Sequence, residues 1–215
     1  MDIRPKFEVI FIDLDETLYP KSNGLWQCIS HRINQFLVER LNMPLEAAHE
    51  LRQSYLESYG TTLNGLLQNH DIDPLDYLDF VHEIPIESMI KPDPSLRQIL
   101  NQVTPARFIF TNASQQHAER VLNHLNILDL FKGIIDIITL GYANKPLPES
   151  YQKALTIAGN PRPEKCMIID DRIANLIPAK DFGMTTVLVG DGQAKAVDYY
   201  LPTIHKILEQ VPGLI

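Results

Sequence analysis

Acidic residues follow a short apolar segment near the start of the sequence. The stretch FEVIFIDLDETLYP, residues 7–20, is apolar up to Ile12 and then places Asp13, Asp15 and Glu16 close together. A run of Val, Ile and Phe is typical of a strand that is covered on both faces in a parallel sheet. Because open α/β folds bind ligands at the carboxyl ends of their strands, we expect these acids to lie at a ligand site.

Three later apolar segments are also followed by polar residues. RFIFTNAS ends a predicted strand with Thr111 and Asn112, ahead of a helix whose N-terminal N–H groups we expect to be free to hold an anion. GYANKPLPESY places Lys145 shortly before another predicted helix, and CMIIDD ends in Asp170 and Asp171. The ends of parallel strands lie side by side, so the sequence predicts one pocket that collects these groups together with Asp13 and Asp15.

Four carboxylates in one pocket would repel one another and take up protons unless a cation lay between them. Mg²⁺ is the favoured cation, because it binds one or two carboxylates together with water and a substrate phosphate. A lysine, a threonine hydroxyl and a helix N-terminus supply further binding groups for a phosphate dianion. The sequence therefore predicts a site for a magnesium ion and a phosphate group.

Short apolar segments alternate with helical spacing in the second half of the chain. Strands are predicted at residues 107–111, 133–138, 166–170 and 185–189, with amphipathic helices between them. This alternation is typical of an α/β fold with a doubly wound, Rossmann-like parallel sheet and right-handed crossovers.

The segment from residue 21 to residue 91 has a different pattern. Two apolar stripes at helical spacing run from Leu25 to Leu41 and from Leu45 to Tyr55, and Gly60 is predicted to end the second helix. We therefore predict a helical cap domain at residues 21–91, inserted into a core domain made of residues 1–20 and 92–215.

Composition and charge exclude several partners. The chain of 215 residues has a formal net charge of −8, which disfavours a nucleic-acid polymer as partner. Its apolar runs are shorter than the roughly 18 residues of a membrane span, and residues 1–6 do not open a signal peptide. Cys28 and Cys166 have no metal-ligand spacing, so we expect reduced thiols and a cytoplasmic protein. The sequence carries no signal for an oligomeric state.

These motifs resemble those of the haloacid dehalogenase superfamily of phosphohydrolases. The four family motifs are matched in family order by Asp13, Asp15 and Thr17, then Thr111, then Lys145, then Asp170 and Asp171. The resemblance implies that Asp13 attacks phosphorus to form an aspartyl-phosphate and that Asp15 acts as general acid and then general base. Thr17 is expected to support the turn that follows Asp15.

The resemblance also implies the binding roles in the site. Thr111 and Lys145 would hold the phosphoryl oxygens, with Asn112 beside them. Mg²⁺ would be held by Asp13, by the main-chain carbonyl of Asp15, and by the acid pair Asp170 and Asp171. The motif usually continues with a serine where this chain has Arg172, which leaves that residue without an assigned role.

The cap segment resembles one branch of the superfamily. DLDETLYP, YGTTLNGL at 59–66 and YLDFVH at 77–82 are similar to the pyrimidine 5′-nucleotidases of plants, fungi and bacteria. The expected substrate is therefore a small phosphomonoester, with nucleoside 5′-monophosphates favoured. Tyr59 and Asn64 are the candidate contacts to the leaving group, although helix packing and helix capping are alternative roles for them.

Other functions remain open at the level of the sequence. The cap of a related phosphatase or phosphomutase could select a sugar phosphate or phosphoglycolate. A signalling receiver also gathers acids, Thr and Lys around Mg²⁺, but its acid pair lies on the first strand and its phosphorylated Asp on a later one. A non-catalytic phosphate-binding protein is disfavoured, because every catalytic position is occupied.

Overall fold

The architecture centres on one parallel sheet. We describe residues 6–190 and 195–215 of a computed structural model, so most of the segment predicted to lack a signal peptide, residues 1–5, lies outside the described residues. Six strands are found there, in the order β3-β2-β1-β4-β5-β6, and all neighbouring pairs are parallel. They are β1 (Val9–Ile12), β2 (Ala106–Phe110), β3 (Gly133–Ile135), β4 (Cys166–Asp170), β5 (Thr185–Val189) and β6 (Tyr199–Leu201). The predicted α/β class is confirmed.

Strand β1 lies at the centre of the sheet. It pairs with β2 on one side and with β4 on the other, so that Ile12 is opposite both Ile109 and Ile169. Ile10, Phe11 and Ile12 have no solvent exposure, as expected for a strand covered on both faces. The register continues one residue further, where the Asp13 N–H donates to the Ile169 carbonyl at 2.9 Å. Asp13 therefore lies beside the end of β4.

The long connection from β1 to β2 is helical. Residues 13–105, all of which are described, contain no strand. The helices are α1 (Leu25–Leu41), α2 (Leu45–Tyr59), α3 (Thr62–Asn69), α4 (Pro74–His82), α5 (Ile86–Met89) and α6 (Pro94–Leu100). The two stripes predicted from the sequence form α1 and α2, and Gly60 ends α2 with a φ of 78°. Helices α1 to α5 fall within residues 21–91, and the division into a cap and a core stays a prediction.

Helices alternate with the later strands and cover both faces of the sheet. These are α7 (Gln115–His124), α8 (Pro148–Ile157), α9 (Ile173–Asp181) and α10 (Ile207–Gln210). Val121 and Leu122 of α7 belong to the core on one face, whereas Tyr151 of α8 and Leu176 of α9 belong to the core on the other. The apolar faces of α1 to α4 share the first of these cores. None of the helices in the described ranges has the length and apolarity that crossing a bilayer requires.

Candidate active site

A buried lysine joins the ends of two strands at the carboxyl edge of the sheet. Lys145 is 1% exposed, and its Nζ lies 2.8 Å from Asp13 Oδ1 and 2.6 Å from Asp170 Oδ2. The other oxygen of Asp13 accepts a hydrogen bond of 3.0 Å from Thr17 Oγ1. The structure thus brings together Asp13, Lys145 and Asp170 as the sequence predicted, and Thr17 binds Asp13 directly.

The two acids that follow β4 have different surroundings. Asp170 accepts hydrogen bonds from the Arg172 N–H at 2.9 Å and from Asn175 Nδ2 at 2.9 Å and 3.1 Å, in addition to Lys145. The Asp171 carboxylate lies 2.9 Å from Nζ of Lys21, a residue of the segment predicted as cap. Asp170 is therefore saturated by protein donors, whereas Asp171 has a single, half-exposed lysine as its ionic partner among the described residues.

The acids form a group that could hold a cation. Asp13, Asp170 and Asp171 each offer an oxygen atom, and these atoms lie within 4.8 Å of one another. Burial raises the pKa of Asp13, Lys145 opposes that effect, and Asp170 and Asp171 add to it, so that the pKa reaches about 8. Burial and the charge of Asp170 also raise the pKa of Asp171. Hard carboxylate oxygens that hold protons in the absence of a cation fit a divalent metal ion.

The charge of Lys145 is stabilised by the same group. Burial alone would lower the pKa of its ammonium group, but Asp13 and Asp170 outweigh burial and raise that pKa. Lys145 therefore stays charged and can bind a phosphoryl oxygen.

Asp15 lies apart from the metal-binding group and has two donors of its own. His117 Nε2 and the Tyr19 hydroxyl both contact Oδ1 of Asp15, at 2.9 Å and 2.5 Å. Burial would raise the pKa of Asp15, but His117 and Tyr19 outweigh it and lower that pKa. The predicted general acid and base is thus held by contacts that favour its ionised form.

Two histidines of this site were not identified from the sequence. The His117 ring, on α7, stacks on the His82 ring, on α4, with centroids 4.3 Å apart. His82 was part of the motif YLDFVH but had no assigned role, and nothing in the spacing of His117 marked it. Burial and the neighbouring His117 lower the pKa of His82 well below its ordinary value, so His82 is neutral at physiological pH.

The structure corrects the expected role of Asn112. Its Oδ1 accepts from the Lys145 N–H at 2.8 Å and its Nδ2 donates to the Lys145 carbonyl at 2.9 Å. The amide group is therefore occupied by the Lys145 backbone and positions that residue instead of binding phosphate through its side chain. Thr111, in contrast, keeps its hydroxyl proton for a ligand, because its Oγ1 serves as acceptor for the Ala113 N–H at 3.0 Å.

Two N–H groups at the N-terminus of α7 are bonded within the protein. Ser114 caps the helix by accepting from the His117 N–H, and Asp136 Oδ2 accepts from the Gln115 N–H at 2.9 Å. The N–H groups of Gln115 and His117 are therefore not free, because an aspartate and a serine of the protein already satisfy them, and phosphate binding by the other N–H groups at this helix N-terminus stays a prediction.

A cavity of about 300 Å³ opens from these acids and Lys145 towards the helical segment. Its floor includes Asp13, Asp15, Thr111, Lys145 and Asp171. Its walls are mainly apolar, and the lining residues from α1 and α4 are Trp26, Ile29, Ile33, Tyr77, Leu78, Val81 and His82. The cavity is therefore large enough to hold a ligand of several heavy atoms.

Arg52, on α2, is a polar group in the cavity wall that the sequence did not reveal. Its guanidinium donates to Ser30 Oγ at 2.8 Å, and no carboxylate of the described residues forms an ion pair with it. Burial lowers the pKa of this guanidinium. Arg172, whose role the sequence left open, also lines the cavity, and its backbone precedes the first residue of α9.

Tyr59 and Asn64, predicted to contact the leaving group, lie elsewhere. Neither lines the cavity. Asn64 Nδ2 donates to the side chain of Asn144, and the Tyr59 carbonyl accepts from Asn144 Nδ2 at 3.2 Å. The Tyr59 hydroxyl accepts from Asn69 at 3.1 Å. Tyr59 and Asn64 therefore attach the helical segment to the loop that carries Lys145, because both contact the side chain of Asn144, the residue before Lys145.

Solved structures share this fold. A HAD phosphatase from Thermococcus onnurineus is 17% identical, with a TM-score of 0.66 over 96% of this chain and 99% of its own. The HAD-hydrolase YfnB from Bacillus subtilis, solved bound to magnesium, is 16% identical, with a TM-score of 0.63 over 95% of this chain and 98% of its own. These similarities identify the fold as that of haloacid dehalogenase-like enzymes.

Sequence comparison identifies the family. The family described as haloacid dehalogenase-like hydrolase matches residues 7–183. Phosphate metabolism protein 8 of Saccharomyces cerevisiae is 30% identical over 201 residues, which cover 87% of this chain and 63% of that protein. The chain thus spans less than two thirds of the length of this relative. The chain belongs to the haloacid dehalogenase-like hydrolases, a family of enzymes, which confirms the resemblance drawn from the motifs.

Proposed function

We propose that the chain is a Mg²⁺-dependent phosphomonoester hydrolase that acts through an aspartyl-phosphate on Asp13. The observation that carries the proposal is the position of Asp13, whose carboxylate is fixed by Thr17 and Lys145 on the floor of a cavity that also contains Asp15. One carboxylate can attack while a second one, bound by different partners, transfers the proton.

The first half of the reaction uses both acids. Asp13 attacks phosphorus, the bond from phosphorus to the ester oxygen breaks, and protonated Asp15 gives its proton to that oxygen. The dianionic phosphate of the substrate raises the pKa of the nearby Asp15 by charge repulsion, which opposes the effect of His117 and Tyr19. Lys145 and the Thr111 hydroxyl bind the phosphoryl oxygens while the charge shifts.

The second half regenerates the enzyme. Asp15, now ionised, takes a proton from water, and the resulting hydroxide attacks phosphorus and displaces the Asp13 carboxylate. Inorganic phosphate is released and Asp15 keeps the proton for the next turnover. The donors on Asp15 favour its ionised form, which is the form this half requires.

Asp13 and Asp171 are the side-chain ligands that we assign to Mg²⁺, together with the main-chain carbonyl of Asp15. When bound, the cation supplies charge that neutralises the phosphoryl oxygens and keeps Asp13 ionised. Asp170 is assigned to hold Lys145 and Asn175, because its oxygens already accept from these two residues and from the Arg172 N–H. This division agrees with the preference of Mg²⁺ for one or two carboxylates.

The favoured substrates are nucleoside 5′-monophosphates. The apolar walls of the cavity suit the faces of a heterocycle, and Arg52 can donate to a ring carbonyl. We assign these walls to a helical cap at residues 21–91 that closes over a core of residues 1–20 and 92–215. A sugar phosphate, phosphoglycolate or a phosphomutase reaction is the alternative, since the same floor serves any small phosphate ester.

A cytoplasmic location agrees with the free thiols of Cys28 and Cys166.

A screen of phosphomonoesters with Mg²⁺, run on the wild type and on Asp13→Asn, tests the proposal. We expect phosphate release from at least one nucleoside monophosphate and a loss of roughly 10⁴-fold or more in the variant. Asp76→Asn is the control, because Asp76 is an exposed carboxylate on α4 that binds Arg40. Phosphate release that survives Asp13→Asn would exclude the aspartyl-phosphate route, and a wild type that acts on sugar phosphates alone would exclude nucleotides.

A further inference from the structure

We propose that His117 is a positioning residue that fixes Asp15 for proton transfer, and that His82 holds His117 in turn from the helical segment. The inference rests on the proposed phosphatase chemistry and goes beyond it, because the family motifs assign neither histidine a role.

The first step concerns the two oxygens of Asp15. His117 Nε2 and the Tyr19 hydroxyl both contact Oδ1. Within the described ranges no hydrogen bond reaches Oδ2, and Asp15 lines the cavity. Oδ1 is thus held by two protein contacts, while Oδ2 is available to the substrate. A carboxylate held in this way cannot rotate without breaking both contacts, so Oδ2 keeps a fixed orientation.

The second step concerns the tautomer of His117. Its side chain has no solvent exposure, and its Nδ1 has no hydrogen-bond partner among the described residues. A proton on Nδ1 would leave a buried N–H without an acceptor, whereas a proton on Nε2 is accepted by Asp15. The imidazole therefore acts as an N–H donor that is aimed at Asp15.

The third step concerns what holds the His117 ring. His82 stacks on it at 4.3 Å with the ring planes 19° apart, and His82 Nδ1 lies 3.2 Å from Ser114 Oγ. Arg120, on the same helix as His117, donates to the carbonyls of His82 and Ile84 at 3.0 Å each. The C-terminal end of α4 is thereby attached to α7 through Ser114 and Arg120, which precede and follow His117 in the sequence. The position of α4 is in this way connected to that of Asp15.

The test compares two classes of ester, because a positioning role for Asp15 matters most when the leaving group needs a proton. An alkyl phosphate releases a strongly basic alkoxide, while p-nitrophenyl phosphate releases a stable phenolate. His117→Leu removes the donor at similar volume. We expect its kcat to fall roughly 30-fold or more on the best alkyl ester and about threefold on the aryl ester, with KM nearly unchanged.

Two amide variants of His117 distinguish a positioning role from a role in folding. His117→Gln can place an amide N–H near the position of Nε2 and is expected to restore about a third or more of the wild-type kcat, whereas the shorter His117→Asn is not. This pair decides the question even if His117→Leu does not fold. His124→Leu is the matched control, because His124 lies on the same helix and contacts the Ile90 carbonyl instead of Asp15.

Two readouts do not depend on turnover. The rise in Tm that Mg²⁺ causes should be the same in wild type and His117→Leu, and a crystal structure of the variant should show Asp15 displaced. Equal losses on both esters, no difference between Gln and Asn, or an undisplaced Asp15 would each overturn the inference. A wild type that hydrolyses no phosphate ester would instead overturn the proposed function, and the position of Asp15 in the variant would still decide the inference.

Discussion

Asn112 holds Lys145 by both of its backbone polar groups. The amide of Asn112, just past the end of β2, accepts from the Lys145 N–H and donates to the Lys145 carbonyl, at 2.8 Å and 2.9 Å. This pairing connects the end of β2 to the loop before α8 and fixes the backbone from which the Lys145 ammonium group reaches Asp13. The position of Lys145, which we propose binds phosphate, is therefore set by a residue that follows β2.

Asn112→Asp should impair catalysis without removing any group that touches phosphate. The new oxygen would face the Lys145 carbonyl, so a hydrogen bond of 2.9 Å becomes a repulsion. We expect a loss of about 1–3 kcal/mol in the free energy of unfolding and a fall of roughly tenfold in kcat. Urea unfolding and steady-state kinetics measure both. Asn123→Asp, at an exposed position of α7, is the control, and normal kcat in Asn112→Asp would contradict the positioning role.

Mg²⁺ should stabilise the protein more strongly as the pH rises towards 8. Asp13 has a pKa raised from 3.8 to about 8, so without metal its contribution to stability is fully present below about pH 4 and is lost as the pH rises through about 8. Mg²⁺ must displace this proton, and its binding therefore strengthens between about pH 6 and pH 8. Tm measured with and without Mg²⁺ at several pH values checks this.

The corresponding control is Asp13→Asn, which has no proton to displace at this position. Its Mg²⁺-induced change in Tm should be smaller and should vary less with pH. A wild-type change in Tm that is constant between about pH 6 and pH 8 would show that Asp13 is already ionised without metal.

Arg52→Met should weaken the binding of nucleotides selectively. If Arg52 donates to a carbonyl of the base, its loss costs about 1.5–3 kcal/mol, which is roughly a 10- to 100-fold rise in KM. Kinetics on cytidine and uridine 5′-monophosphates and on p-nitrophenyl phosphate separate this effect from general damage, since the aryl ester lacks such a carbonyl. Arg40→Met is the control, because Arg40 binds Asp76 and is not among the residues that line the cavity. An equal rise in KM for all three esters would contradict a base contact.

Gly60→Ala should destabilise the protein more than Gly159→Ala does. Both glycines have positive φ, 78° and 93°, which costs an alanine about 1 kcal/mol. A Cβ at Gly60 would also lie 2.5 Å from Asn144 Nδ2 and 2.9 Å from Pro146 Cδ, whereas a Cβ at Gly159 would meet nothing within 4 Å. We expect a total of about 3 kcal/mol for Gly60→Ala, measured by urea unfolding. Equal losses would show that the Lys145 loop moves away without cost.

The strands could be predicted where the sheet buries both faces. β1, β4 and β5 each contain at least three consecutive apolar residues, and the structure has them within a few residues of the predicted bounds. β3 ends at Ile135 instead of residue 138, because Asp136 turns to cap α7 and to accept from the Thr139 N–H at 2.9 Å. β6 is a short edge strand of three residues, of which Leu201 is buried, and it carries no periodic signal.

The site residues were predictable where a residue type suited to catalysis or binding follows a predicted strand. Asp13, Thr111, Lys145 and the acid pair were predicted from residue type and position, and all of them except Asp170, which contacts Lys145, lie on the cavity floor. His82, His117 and Arg52 were not, because each lies on a helix face whose partners are distant in the sequence. His117 is 102 residues from Asp15, and single-sequence periodicity does not report such contacts.

The two surfaces of the cavity have separate origins in the chain. Its floor is assembled from the ends of several strands, whereas its walls come largely from one continuous stretch between Trp26 and His82. Exchange of that single stretch between relatives would graft a new leaving-group preference onto an unchanged phosphoryl-transfer centre. Such a chimera must keep the contacts of Asn144 with Tyr59 and Asn64 and the stacking of His82 on His117. A chimera that lost these contacts would place its new substrate over a misaligned Lys145 or over an Asp15 that is no longer held in position.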